Sequence, residues 1–77
     1  MKTTAYVRYS SLPMTIIEHN RAEWSRMADA AASIGRSDVA ARFRDAATRQ
    51  QMTVREYDAL QNDYRAWLVF NEYPVAA

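Results

Sequence analysis

Apolar positions recur at helical spacing in three stretches of this chain and alternate in only one. The clearest stretch runs from about residue 54 to 70, where Tyr57, Leu60, Tyr64, Trp67 and Leu68 line one helical face. Its start is marked twice over in Met52-Thr53-Val54-Arg55-Glu56-Tyr57. Thr53 and Glu56 have the T-x-x-E spacing of a capping box, and Met52 and Tyr57 fit the hydrophobic staple around it. Aromatic residues concentrate here, so this helix is predicted to form the centre of the core. Its last turn, Ala66-Trp67-Leu68-Val69-Phe70, is apolar on every side, a pattern that normally means burial all round. Trp24, Phe43, Trp67 and Phe70 are the expected core anchors.

A first helix is predicted over about 16–34. Thr15 and Glu18 repeat the capping-box spacing, Ile17, Trp24 and Ala31 form one row, and Met27, Ala28 and Ile34 widen the stripe. Ala28, Ala30, Ala31 and Ala32 keep its second half thin enough for close approach of another helix. Gly35 stands where a left-handed residue would end it. A shorter second helix is predicted over about 38–50, capped by Ser37 or Asp38, with Val39, Phe43, Ala46 and Ala47 facing inward. Asp38, Arg42, Asp45 and Arg49 alternate in sign on its outer face, each acid four residues before an arginine. The junction reads either as a break at Gln50-Gln51 or as a kink in one long helix.

Alternation appears only at Thr3–Tyr9, with Ala5, Val7 and Tyr9 on one side and Thr4, Tyr6 and Arg8 on the other. A strand there needs a partner for its backbone. The strand-like Val69–Tyr73, an edge of a second copy and an edge of a target protein are the candidates; an unpaired arm across the helices is the alternative. The fold class is therefore all-α: a single three-helix domain with an extended arm (1–12), a helical core (13–72) and a frayed tail (73–77) beyond Pro74.

Composition narrows the picture. Seventy-seven residues make one domain with a thin stability margin, and the absence of cysteine removes disulfides and thiolate metal sites. The net charge of +1 fits neither a strongly acidic nucleic-acid mimic nor a dedicated DNA-binding domain. Nine of the ten basic residues are arginine, the better interface residue, and Lys2 is the one lysine. No apolar run approaches the ~20 residues of a membrane span, and a cytoplasmic location is expected.

The chemical inventory is poor. There is one histidine, His19, and one glycine, so neither a Cys–His pair nor a glycine-rich phosphate loop can form. The serines show no nucleophile elbow, and no catalytic, cofactor-binding or metal-ligating residue is assigned. Residues 38–67 also read as a helix–turn–helix, with Arg55, Gln61, Asn62 and Arg65 as contacts. Glu56, Asp58 and Asp63 stand among them and would weaken phosphate binding. The favoured class is protein binding, because Tyr, Trp and Arg dominate interface energetics. Tyr6, Arg8 and Tyr9 on the arm, with Arg65 and Tyr73 near the third helix, are the expected contacts. The partner is a second copy or one surface of a larger host complex; nucleic acid and membrane are not expected partners. In size and style the chain resembles the compact accessory proteins of bacteriophages and mobile elements, anti-CRISPR proteins among them. That resemblance implies a stoichiometric inhibitor or adaptor, and no residue role is carried over from it.

Overall fold

Helical spacing becomes three helices, and the alternating stretch finds its partner far along the chain. The computed structural model describes residues 4–75. Strand β1 (Tyr6–Arg8) passes through a single 3-10 turn (Tyr9–Ser11) into α1 (Met14–Ser33); α2 (Ser37–Thr48), strand β2 (Gln51–Thr53) and α3 (Val54–Phe70) follow. Thr3, the first residue of the predicted strand, lies outside the described residues, as do the rest of residues 1–3 and Ala76 and Ala77 of the predicted tail.

The cap of α3 forms as its spacing requires. Glu56 N–H donates to Thr53 Oγ1 at 3.0 Å, and Thr53 N–H donates to Glu56 Oε1 at 3.1 Å. Met52 before the cap is fully buried, and Tyr57 packs against the same core. The second predicted box, at Thr15, does not form. Pro13 precedes the helix with φ −57°, and its carbonyl accepts from the amides of Ile16 and Ile17. α1 therefore begins at Met14, two residues early, and Thr15 falls inside the first turn.

Gly35 ends α1 at φ 80°. Its amide donates to Ala32 O and the Arg36 amide to Ala31 O, the paired bonds of a Schellman motif. An added Cβ would meet nothing within 4 Å, so only the left-handed backbone opposes a side chain here. Gly35→Ala is expected to cost about 1–2 kcal/mol, measurable as a lower urea midpoint at unchanged slope. Arg36 then caps α2 through its backbone, and its guanidinium forks onto Asp38 at 3.0 and 3.1 Å. Ser37 and Asp38 are thus inside α2 rather than capping it.

The junction of α2 and α3 is the main departure from expectation. Arg49 is extended, and β2 pairs antiparallel with β1 in the register Tyr6↔Thr53, Val7↔Met52, Arg8↔Gln51. Neither a kinked long helix nor a strand at Val69–Tyr73 occurs, since those residues belong to α3 and to the segment after it. Tyr9 N–H donates to Gln50 O and Val54 N–H to Ala5 O, extending the ladder at both ends.

The core lies between α1 and α2 more than around α3. Trp24, Met27, Ala28 and Ala31 meet Val39, Ala40, Phe43 and Ala46, with Tyr9 and Met52 from the strand side. Alanine at four of these positions lets the two helices approach closely. α3 fully buries only Leu60 and Tyr64, so it closes the core without being its centre. Asn20, the one buried polar residue described, donates to Tyr57 Oη at 2.9 Å, and Gln61 donates to both. Ile34 and Leu68, predicted inside, are exposed.

Candidate functional site

The free end of α3 carries the largest departure from ordinary burial. Leu68, Val69 and Phe70 are 59%, 63% and 69% exposed. Successive helical residues stand about 100° apart, so these three ring the helix end. One side of that end is closed from within. Asn71 is left-handed at φ 55°, its amide bonds back into α3, and the chain reverses so that Tyr73 returns to the helix. Trp67 Nε1–H donates to Tyr73 Oη at 3.0 Å, and the rings of Tyr64, Trp67 and Tyr73 follow one another at 5.6 and 6.4 Å. Arg36 donates to Pro74 O, which ties the same segment to the start of α2. Tyr73 and Pro74 are therefore held, not frayed. Phe70, predicted to be a core anchor, faces outward because the half-buried side of the last turn is already taken by Trp67.

The five residues expected to contact a partner fall in two places. Tyr6, 46% exposed, and Arg8 share the outer face of β1, with the guanidinium 5.9 Å from the ring centroid. Arg65 is exposed on α3 and Tyr73 is half-buried beyond it. A helix of 17 residues, about 25 Å long, separates the α3 end from the sheet. Tyr9 is no surface contact. It is 1% exposed, packed 6.3 Å from Trp24, with the Arg21 guanidinium 5.5 Å over its ring. Its amide continues the ladder to Gln50 O, and the 3-10 turn that begins at Tyr9 lays the ring against the core.

Between α2 and α3 lies a cleft of about 450 Å³, with Ala46, Ala59 and Leu60 among arginines 42, 49 and 55 and the acids Asp45 and Glu56. The expected i,i+4 pairs along α2 are replaced by tertiary ones. Arg42 pairs with Asp63, and Arg49 Nη1 reaches Glu56 Oε2 at 2.7 Å. The Thr53 amide, then Arg49, holds the Glu56 carboxyl below the usual range. Arg55 has no ion pair among the described residues.

Other candidate chemistry stays dispersed. His19 Nε2 lies 3.0 Å from Glu23 Oε1 on the surface, and no three acidic or histidine side chains converge on a metal position among the described residues. Gln61, one of four contacts in the helix–turn–helix reading, is spent on Asn20 and Tyr57. The link between α2 and α3 is a paired strand, not the tight turn of that motif. No described helix is long and apolar enough to cross a membrane. Comparison with protein-family models, curated proteins and solved structures finds no match to this chain.

Proposed function

We propose that this chain is a non-catalytic protein-binding module, a small stoichiometric inhibitor or adaptor of a larger assembly, that meets its target through the end of α3. The observation that supports this is the exposed run Leu68-Val69-Phe70. Isolated apolar residues at a surface are ordinary, but three in succession form a patch, and patches of this kind mark interaction sites. Completing their burial would contribute roughly 3–5 kcal/mol. Association itself costs about 4–15 kcal/mol, so the patch needs further contacts. Arg65 supplies one, standing three and four residues before Leu68 and Val69 on the same helical face. Tyr73 supplies another, bordering the patch where the chain turns back.

Phe70→Ser is expected to leave thermal stability within about 0.5 kcal/mol of the parent, as for other surface changes. The same change should abolish stoichiometric co-purification of a partner from cells expressing the protein. Ile16→Ser, at another exposed apolar position, on α1, should retain the partner. Equal recovery with both variants would refute the assignment of this surface.

A further inference from the structure

We infer that two copies of this chain join through the outer edge of β1, forming a continuous four-stranded antiparallel sheet. The ladder decides which groups are offered. Ala5 O and Tyr9 N–H point at β2, and Val7, between them, pairs with Met52 in the same phase. Backbone direction alternates along a strand, so Tyr6 and Arg8 turn their amides away from β2. The sheet has only two strands among the described residues; Tyr6 N–H and C=O and Arg8 N–H face away from β2, while the Arg8 carbonyl opens the 3-10 turn Tyr9–Ser11 and can offer only its second lone pair. The opposite edge is closed differently: the outward amide of Thr53 is already held by Glu56. Glu56 thus blocks the β2 edge at Thr53, whereas the Tyr6 amide and carbonyl on the β1 edge have no such cap among the described residues.

Register and side chains then select the occupant. Outward amides can only exchange bonds with outward amides, so an antiparallel copy must pair even positions with even positions. Centring the two-fold axis on Val7 sets Tyr6 opposite the second copy's Arg8, and Arg8 opposite the second copy's Tyr6. Both pairs lie on the exposed face, where Arg8 already stands 5.9 Å over Tyr6 within one chain. Each guanidinium would gain a second ring, a cation–π pair made twice by symmetry. Centring on Arg8 would oppose two arginines, and centring on Tyr6 would lose both mixed pairs. The strand is complementary to itself in one register. Two strands of three residues make a marginal sheet alone, and four share a longer ladder. The dimer would present two α3 ends, and so bind a repeated target twice. This inference uses a surface about 25 Å along α3 from Leu68–Phe70 and stands or falls separately from the function proposed above.

The test is sedimentation equilibrium from the micromolar to the millimolar range, with circular dichroism to confirm the fold of each variant. The parent is expected to form a reversible dimer that Arg8→Glu weakens by about tenfold or more and that Phe70→Ser leaves intact. In that register the two Val7 positions form a non-hydrogen-bonded pair about 4.5 Å apart, within disulfide reach. Val7→Cys, in a chain with no other cysteine, should therefore give a linked dimer on mild oxidation. Ala41→Cys, exposed on α2, should not. A parent that stays monomeric at millimolar concentration overturns the proposal. So does a dimer indifferent to Arg8→Glu or dissolved by Phe70→Ser.

Discussion

Trp24→Ala is expected to remove about 3–5 kcal/mol of stability, the largest loss of any single substitution considered. A 77-residue domain has roughly 4–11 kcal/mol in total, so the substitution takes a large share of the margin and should lower the denaturant midpoint sharply. Trp24 is fully buried in the half of the core where α1 meets the strand side. Its ring meets Tyr57 edge-on at 5.8 Å and Tyr9 at 6.3 Å, and so joins α1, α3 and the turn after β1. Removing it empties a site that three elements share, and such a site cannot collapse without moving all three. Urea denaturation followed by far-UV circular dichroism measures the loss. A cost below about 1 kcal/mol would mean that the core is centred elsewhere.

The second large effect is alkaline. Burial pushes the Tyr9 hydroxyl up to about 12; Tyr57 acts in the same direction, and Arg21 and Arg49 oppose it. The unfolded tyrosine titrates near about 10. Between those values the unfolded chain releases a proton that the folded chain keeps, so raising the pH favours unfolding. The stabilisation is complete below about pH 10 and is lost as the pH rises through about 12, by roughly 2–3 kcal/mol. Burial of Tyr64 moves its hydroxyl upward as well and adds to the slope. Tyr9→Phe separates the two residues. The Tyr9 hydroxyl has no hydrogen-bond partner although it is buried. Deleting it should leave stability at pH 7 unchanged or raise it by about 1 kcal/mol, while the alkaline loss shrinks. A Tyr9→Phe protein with the parent's alkaline midpoint would show that Tyr9 does not govern the transition.

How much of this was legible in the sequence depended on whether a signal was local. The Thr53–Glu56 box and Gly35 were readable because each needs only neighbours within four residues. α3 begins and ends where its periodicity says. The same spacing at Thr15 misled, because Pro13 supplied an earlier start and its carbonyl took the amides a cap would have served. β2 could not be read. Gln51-Met52-Thr53 has no alternation of its own and is a strand only because β1 lies beside it. The arginine row of α2 followed the same logic: i,i+4 pairs are worth a few tenths of a kcal/mol, so Asp63 and Glu56 on α3 could take Arg42 and Arg49 instead.

The candidate site was half legible. The all-round apolar turn at residues 66–70 was visible in the sequence, but its burial was inferred from composition alone. Tertiary geometry reversed that inference for Leu68, Val69 and Phe70, since Trp67 and Tyr73 already fill the inner side of the turn. Tyr9 failed in the opposite direction. An aromatic near the end of an arm looked accessible, and the 3-10 turn that follows β1 laid it against Trp24. Tyr6 and Arg8, one face away on the same strand, remained outside.

The most direct test of the binding surface is site-specific photo-crosslinking in cells expressing the protein, with the photoreactive residue at Val69 and, as control, at Ala41. The proposed function predicts a single adduct from position 69, heavier than two copies of this chain, and none from position 41. No adduct from position 69, an adduct of two copies, or the same products from both positions would contradict it.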